Sequence, residues 1–567
     1  MGKQKTIVFI FTGLLAVLAV VIVYVRVQWK DFPVYSVVCF GDSEETVDLW
    51  EASDGTYYLF LPGCADLSRT RLESDRMARA SVDGISVKNG LNCNDLPLDQ
   101  PLCLRYHQDG RTRESQLIIT RSGNTASLYI DVESGSMDNI HEKKGNSEPG
   151  SLRLYTADGT LDCSSQIKSV SGRGNSTWDY RKKPYNLELT SAQDLLGMGA
   201  AKKWILLANG YDPTNICDKM VSDFARETGA AYTAERQWVD LYLNGEYAGL
   251  YLLSERNELD PERIAVDADR SFLLSLSVDW QLDKSKPYIQ SDRGLLLRIH
   301  QRGISIDEIW NIWQSAESAV YADDGIDPVT GKYWTELIDL DSWAQQFLLD
   351  EVFVDFDAFA LSQYFYYEPD SGKLFGGPLW DSDNILDRCG KHPANILAAQ
   401  RLYVWNEVDK PLCWALWQKE EFRQRVKELY RQEYREKLLA LANGGIENYV
   451  NQYRAAIDMD SIRWSKSGPD AEAARMSQYL RERVEFLDDY WSHEEEYVYL
   501  DIGADQQWRR FAVREGNTAE CLREYTDNFG DVTWVRCDNL EAFDITQPVY
   551  EDTALWMIWP QNQEEET

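Results

Sequence analysis

Residues 6–25 form an uncharged apolar run, TIVFIFTGLLAVLAVVIVYV. About 20 helical residues, each rising about 1.5 Å, span the hydrocarbon core of a bilayer. The run is long for the apolar part of a signal peptide, and no A-x-A cleavage pattern follows it. We therefore expect an uncleaved, single-pass signal-anchor, with residues 1–5 in the cytoplasm and the rest outside. Lys3 and Lys5 favour this orientation, whereas Arg26 and Lys30 weaken the signal.

All ten cysteines follow the apolar run, none of them forms a C-x-x-C motif, and the five histidines do not cluster with them. A zinc site is therefore not expected. An even number of cysteines outside the cell fits disulfide bonds, and reduced buried thiols are the alternative. The natural local pairs are Cys93–Cys103, Cys389–Cys413 and Cys521–Cys537.

The net charge of −35 excludes nucleic acid and anionic lipid surfaces as partners. It favours basic partner proteins or bound cations. The membrane is then contacted through the N-terminal helix alone. An apolar content of 44% supports a large packed core and argues against disorder.

The apolar pattern changes along the chain and predicts an α+β protein. Residues 31–164 show short apolar alternations broken by Asp-Gly, Gly-Asn and Asn-Gly, which is typical of hairpins. Residues 165–495 mix strands with helices, of which 336–353, 422–442 and 471–491 have amphipathic patterns. Residues 497–560 are β-rich again, and 561–567 form an acidic tail.

The first candidate site is a glycine-containing turn in SVSGRGNSTW, residues 169–178. Gly172 and Gly174 allow close backbone approach, and Arg173 offers a planar cation. Backbone N–H groups in such a turn can bind an anion. A hairpin turn with an exposed arginine is the alternative interpretation.

The segment RKKPYNLEL follows directly. In an extended strand Lys183 shares a face with Tyr185 and Leu187, so Lys183 is expected to point inward and to need a partner. Lys182 is expected at the solvated edge. Glu255 ends the apolar strand LYLNGEYAGLYLLSE and could pair with a lysine, as the Lys–Glu pair of kinases does. A glutamate at a strand end is more often simply exposed.

The strongest signal is the acidic segment 351–387, EVFVDFDAFALSQYFYYEPDSGKLFGGPLWDSDNILD. Asp357 follows a helix, and Asp381 and Asp383 follow an apolar strand. In extended backbone these last two side chains point to the same side and can reach one hard cation, with Asn384 as a further oxygen ligand. The pattern suits Mg²⁺-assisted phosphoryl transfer. Structural Ca²⁺ binding and a glycosidase carboxylate pair are the alternatives.

Five blocks in series resemble the signature of one family. GRGNSTW with KKPY, LLGMGAAKKWILLAN, VDLYLNGEYAGLYLLSE, DAFALSQYFYY and GGPLWDSDN are similar to the blocks of the spore-coat-protein-H family of atypical kinases, in that family's order. The resemblance covers residues 165–495. It implies a diverged protein-kinase-like fold that binds ATP and Mg²⁺ and phosphorylates Ser or Thr of proteins.

The resemblance also assigns roles. Lys182 or Lys183 would contact phosphate with support from Glu255, and Arg173 and Asn175 would shape the nucleotide site. Asp357 would be the general base or support the metal, and Asp381 and Asp383 would bind the metal.

This sequence departs from the family pattern at two places. Cys217 and Asp218 stand where the family usually has Arg-Asn, and Asp355 stands where Asn is expected. The departures leave open a weakly active or inactive member that acts as an adhesin or scaffold. A glycan-active enzyme is a third possibility.

The flanking regions resemble surface proteins. The N-terminal β-rich part looks like the extension of surface-attached family members in Gram-positive bacteria. The ending FDITQPVYEDTALWMIW is similar to a Listeria–Bacteroides-type surface repeat, a small β-grasp-like module over residues 497–560. This resemblance implies display on a bacterial surface, a cell-wall or surface ligand for the terminal module, and a basic, Ser-rich protein as substrate.

Overall fold

A computed structural model describes residues 34–74, 79–108, 111–355, 361–386, 401–402, 411–466, 468–504, 507–523 and 532–558. The predicted anchor at 6–25, the tail at 561–567 and Asp357 lie outside these ranges. Within them, no helix is both long enough and apolar enough to cross a bilayer.

Residues 34–121 form two sheets that share one apolar core. Val34, Leu59, Leu102 and Leu117 point into that core from four different strands. The strand orders are β2-β1-β5-β8 and β3-β4-β10-β9-β6-β7. The strands are β1 (Val34–Phe40), β2 (Ser43–Asp48), β3 (Trp50–Glu51), β4 (Tyr57–Leu61), β5 (Arg71–Ser74), β6 (Ala80–Val82), β7 (Ile85–Ser86), β8 (Leu91–Asn92), β9 (Pro101–Gln108) and β10 (Arg111–Arg121).

A closed seven-stranded barrel follows, in the order β11-β12-β13-β14-β15-β17-β16. Its interior is filled by alternate residues such as Leu128, Leu187 and Leu241. Because the barrel starts with β11, the predicted boundary at 164/165 falls inside β13. The elements are β11 (Ala126–Val132), α1 (Asp138–Glu142), β12 (Ser147–Tyr155), β13 (Leu161–Gly172), β14 (Tyr185–Asp194), β15 (Ala200–Leu207), α2 (Cys217–Glu227), β16 (Arg236–Leu243) and β17 (Glu246–Glu255).

The second half of the central region is a five-stranded sheet covered by helices. Its order is β19-β20-β18-β21-β22, and Phe365 packs on Trp313 and Trp343 from the helices on its core side. The elements are β18 (Phe272–Ser277), β19 (Tyr288–Gln290), β20 (Leu296–Arg302), α3 (Ile306–Tyr321), α4 (Trp334–Leu337), α5 (Leu340–Phe353), β21 (Tyr364–Glu368) and β22 (Lys373–Gly376).

A helical lobe comes next. Two of the predicted amphipathic helices, one before this lobe and one in it, are interrupted. The pattern at 336–353 forms α4 and α5, because Asp339 caps α5 by accepting a hydrogen bond from the Ser342 N–H. The pattern at 422–442 is broken by wider π turns at Tyr430–Tyr434 and Leu441–Gly445. The helices are α6 (Pro411–Trp417), α7 (Glu420–Leu429), α8 (Arg435–Ala440), α9 (Ile446–Gln452), α10 (Arg454–Trp464) and α11 (Pro469–Tyr490).

The C-terminal sheet has the order β23-β25-β24-β27-β26. Its first strand, β23, comes from far upstream in the chain and pairs with β25. The strands are β23 (Arg401–Leu402), β24 (Tyr497–Ala504), β25 (Gln507–Arg514), β26 (Thr533–Arg536) and β27 (Thr553–Ile558). Together these elements confirm a mixed α+β protein.

Two of the predicted disulfide bonds are wrong, since Cys93, Cys103, Cys521 and Cys537 are unbonded thiols. Cys93 is buried in the N-terminal core, whereas Cys103 alternates outward on β9 between the buried Leu102 and Leu104. The two thiols therefore lie in different environments. Cys389, the predicted partner of Cys413, lies outside the described residues.

Candidate active site

Three neighbouring strands place polar side chains on the face of the second sheet opposite its core. Arg298 of β20, Ser275 of β18 and Tyr364 of β21 lie side by side in register. Leu297 and Ile299 point into the core, so Arg298 and His300 face the other way. His300 Nε2 lies 2.9 Å from Ser275 Oγ, and its ring stacks 4.9 Å from that of Tyr364.

Trp380 continues this polar row and has two arginines near its ring. Its ring centroid is 6.1 Å from that of Tyr364, 5.1 Å from the Arg173 guanidinium and 5.9 Å from the Arg236 guanidinium. Arg173 comes from the glycine turn, and Arg236 begins β16 of the barrel. The barrel and the second sheet thus meet at this cluster of charges.

In the glycine turn, the ring of Trp178 packs so close to the backbone that position 172 must be glycine. A Cβ atom at Gly172 would lie 2.3 Å from the Trp178 ring, so a larger residue cannot fit without displacing that ring. Gly172 therefore allows the turn to pack directly against Trp178.

Arg236 carries hydrogen-bond donors that no described residue accepts. Its side chain is fully buried, and its Nη1 donates to the backbone oxygen of Asp218 at 2.7 Å and to Asp218 Oδ1 at 3.3 Å. Its Nε and Nη2 have no hydrogen-bond partner among the residues that the structure describes. Leaving a buried donor unpaired costs about 1–3 kcal/mol, and more for a charged group. An anion beside Trp380 would satisfy these donors.

Asp218 links Arg236 to the turn that carries Asp381 and Asp383, called the acidic turn below. It lies in the first turn of α2, is buried, and accepts a hydrogen bond from the Ser382 N–H at 3.1 Å. Burial raises its pKa, the Arg236 charge lowers it, and the Asp381 carboxylate raises it further. The departure at Asp218 therefore does not leave the site without a cation, because Arg236 stands beside it.

The acidic turn differs from its predicted geometry. The apolar strand ends at Gly376, and Asp381 adopts a left-handed φ of 66°, so the segment is a turn. The prediction that Asp381 and Asp383 project to one side of extended backbone is therefore wrong. Ser362 Oγ donates to Asp381 Oδ2 at 3.2 Å, and Asp383 and Asn384 follow in the same turn. Backbone in this sparsely populated region is often found at functional sites.

No cluster of three or more His, Cys, Asp or Glu residues arranged for a metal ion occurs in the described part of the chain. Asp381 and Asp383 are two carboxylates of the turn that could hold a cation. Mg²⁺ commonly uses one or two carboxylates together with substrate phosphates and water, whereas Ca²⁺ needs six to eight oxygen ligands.

The two lysines have exchanged their predicted environments. Lys182 is buried, and its Nζ lies 2.7 Å from Asp460 Oδ1 and donates to the Leu250 oxygen at 2.6 Å. Lys183 is partly exposed and donates to the Trp178 oxygen at 2.7 Å. The prediction was wrong because β14 begins only at Tyr185, and the strand alternation does not extend back across Pro184. Burial lowers the pKa of Lys182 to about 7, against the opposing charge of Asp460.

The predicted Lys–Glu pair is also absent from the described residues. Glu255 lies 2.6 Å from Arg263 Nη1 and accepts hydrogen bonds from the Tyr232 hydroxyl at 2.8 Å and the Glu235 N–H at 2.7 Å. Burial raises the pKa of this carboxyl. Glu255 therefore supports the loop after β17, and Arg263 takes the place of the expected lysine.

Asn175 lies at the exposed rim of the glycine turn, with its Oδ1 3.4 Å from Lys144 Nζ. Of the predicted residues, Arg173 and Asp381 lie near enough for their charges to interact, and Asp383 lies in the same turn. The site where the barrel meets the second sheet, around Arg173, Arg236 and Trp380, is called the cleft below. Lys182, Lys183 and Glu255 are held by other contacts. Arg236, Arg298, His300 and Tyr364 were missed, although the L-L-R-I-H alternation of β20 is a signal that could have identified two of them.

A model of the family described as CotH kinase protein matches residues 170–487. The match covers more than half of the 567 residues and contains every residue of the cleft described above. A search of curated proteins gave no match. The chain therefore belongs to the CotH kinase protein family.

Proposed function

We propose that this cleft binds ATP with Mg²⁺ and transfers the γ-phosphoryl group to Ser or Thr of a protein. The observation that carries the proposal is the buried Arg236, whose Nε and Nη2 have no partner among the described residues. It lies beside Arg173 and the acidic turn, where a polyphosphate would bring complementary charge.

Phosphoryl transfer asks mainly for positioning and for neutralisation of negative charge. Arg173 and Arg236 would bind phosphate oxygens beside Trp380, and Asp381 and Asp383 would hold the metal. Mg²⁺ held there would supply positive charge that offsets the charge of the phosphates.

The acceptor hydroxyl would attack the γ-phosphorus as the bond to the ADP oxygen breaks. Asp357, the predicted general base, would accept the hydroxyl proton. Lys182 and Glu255 would act at a distance, by supporting the loops around the cleft.

The remaining parts of the proposal concern location. The apolar run at 6–25 would anchor the chain in a bacterial membrane, and the terminal sheet would serve as a surface module that binds a cell-wall or surface ligand. The substrate would then be a protein outside the cell.

The test uses the full chain in detergent, incubated with labelled ATP and Mg²⁺ or Ca²⁺. We expect autophosphorylation or transfer with Mg²⁺ and an ATP-dependent rise in melting temperature. Arg236→Gln should weaken ATP binding about tenfold or more, since the loss of one charge-assisted contact costs about 1.5–3 kcal/mol. Asp381→Asn should abolish transfer. Absence of both ATP binding and transfer in the unmodified protein would refute the proposal.

A second candidate is a catalytically inactive scaffold with the same fold. It is favoured by the contacts of Lys182 and Glu255, which pair with Asp460 and Arg263 and not with each other. A scaffold predicts a surface ligand whose binding survives Asp381→Ala and is indifferent to ATP.

A further inference from the structure

Two arginines, Arg256 and Arg298, act on the Tyr364 end of the polar row. We propose that this end binds an anionic side chain of the acceptor protein, so that the kinase selects Ser or Thr near a carboxylate or a phosphate. The inference rests on the proposed function and concerns its substrate class.

Arg298 and Arg256 reach this end of the cleft from different elements. Arg298 lies across Ser275 from Tyr364 in the sheet, and Arg256 directly follows β17. The positive charges of Arg173, Arg256 and Arg298 all act on the Tyr364 hydroxyl and lower its pKa, against the larger effect of burial. The three guanidinium groups therefore lie near enough to one aromatic residue to act on its hydroxyl.

Carboxylates balance the two ends of the row unequally. Near Trp380, Arg236 is paired with Asp218, and the charge of Asp381 acts on Arg173. At the other end Arg256 lies 3.9 Å from Glu258, which Lys203 holds more closely at 2.8 Å.

The hydrogen bond of Arg298 goes to a neutral group, the Gln281 backbone oxygen, at 3.0 Å. His300 adds no charge, because burial and these arginines keep it neutral near pH 7. Among the described residues, this end of the row therefore carries more positive than negative charge.

The overall charge of −35 points to basic partners, but the cleft points to an acidic acceptor segment. Distance decides between the two effects. Exposed charges are screened beyond about 8 Å at physiological ionic strength. An arginine in direct contact with a carboxylate or phosphate forms charge-assisted hydrogen bonds that the distant surface charge cannot match. The global charge can attract a basic protein while the cleft selects an acidic site on it.

The experiment uses the full chain in detergent and three peptides that differ at one position beside a serine. That position carries glutamate, phosphoserine or alanine. We expect kcat/KM to be about tenfold higher for an anionic peptide, which corresponds to about 1.4 kcal/mol. The glutamate and phosphoserine arms distinguish a carboxylate from a phosphate as the ligand.

Arg298→Gln and Arg256→Gln should each remove this preference and leave the ATP dissociation constant within about twofold. Arg302→Gln is the matched control, because Arg302 is exposed on the same strand and donates to the Ile304 oxygen. The control should behave like the unmodified protein. Melting temperatures confirm folding, and Arg256, whose side chain is 44% exposed, gives a variant with little risk of misfolding.

Two results would overturn the inference. One is an equal rate for all three peptides. The other is a loss of ATP affinity in Arg298→Gln and Arg256→Gln as large as in Arg236→Gln, which would assign these arginines to the nucleotide. Peptide binding is also measured by fluorescence anisotropy without ATP. Anion-dependent peptide binding without transfer would refute the catalysis alone, and transfer without anion preference would refute the inference alone.

Discussion

At the scale of single residues, Gly249 shows how closely the backbone approaches a buried charge. Its φ is +124°, and a Cβ atom there would lie 2.5 Å from Asp460 Oδ1 and 3.0 Å from Lys182 Cε. Gly229 has a φ of +72° but open space around it, so it provides a matched control.

We expect Gly249→Ala to lower the melting temperature much more than Gly229→Ala. Both changes incur backbone strain of about 1–2 kcal/mol, but only the first displaces a buried ion pair. Thermal unfolding followed by circular dichroism measures the difference. Equal shifts for the two variants would contradict the structure around Asp460.

His300 predicts a pH dependence. Burial and the charges of Arg298, Arg256 and Lys286 lower its pKa to about 3. An unfolded histidine titrates near about 6.5, so between these values the unfolded state binds the extra proton. Stability should therefore fall as the pH drops from about 6.5 toward 3, by up to about 1.4 kcal/mol per pH unit.

The corresponding variant is His300→Gln, which keeps a polar group near Ser275 but does not titrate. Its melting temperature should fall less steeply than that of the unmodified protein between pH 6.5 and pH 4. Parallel curves for the two proteins would show that His300 is not the group responsible.

At the scale of elements, a buried ion pair joins the barrel to the helical lobe. Lys182 follows the glycine turn, and its partner Asp460 lies on α10, fully buried and also 3.1 Å from Lys466. Asp460 also accepts hydrogen bonds from the Leu250 N–H and from Asn215. One carboxylate thus holds three separate segments.

Removal of this carboxylate should be costly. Asp460→Ala leaves Lys182 buried without its partner, and we expect a loss of about 3–5 kcal/mol in the free energy of unfolding. Arg463 lies on the same helix as Asp460 and pairs with the more exposed Glu246. Glu246→Gln removes this partner and should lower the free energy of unfolding by less than about 1 kcal/mol. Chemical denaturation distinguishes the two, and similar losses would contradict the proposed role of Asp460.

The elements also show why sequence patterns predicted some features and missed others. Local rules identified β14, β16, β17 and α11, since period and capping depend on neighbours in the chain. They failed for Lys183, where Pro184 interrupts the strand, and for Asp381, where the backbone turns. Asp460 lies far along the chain from Lys182, as Ser382 does from Asp218, and no local pattern encodes such contacts.

At the scale of the whole molecule, the N-terminal sheets and the barrel share a core. Phe40 stacks on Tyr155 with ring centroids 4.1 Å apart, and Arg153 of the barrel pairs with Glu45 at 2.5 Å. Barrel residues Tyr129, Tyr242 and Tyr247 belong to the same apolar cluster as the strands before them. The N-terminal region therefore covers an apolar face of the barrel.

Two fragments test this arrangement. One starting at residue 123 keeps the whole barrel but exposes its aromatic face, and we expect it to fold with a lowered melting temperature and to bind a hydrophobic dye. One starting at residue 170, where the family match begins, lacks β11 and β12 and should aggregate, because an opened barrel presents unpaired edges. Equal solubility of the two fragments would contradict the closed barrel.

The pairing of β23 with β25 has a mechanical consequence. Arg401 and Leu402 form backbone pairs with Phe511 and Arg510, and the Arg510 guanidinium also lies 5.0 Å from the ring of Trp414 on α6. A partner that pulls on the terminal sheet would therefore transmit force to the helical lobe through these contacts, as well as through the chain after Tyr490. Under tension the terminal sheet would move together with the central region and not as an independently tethered domain.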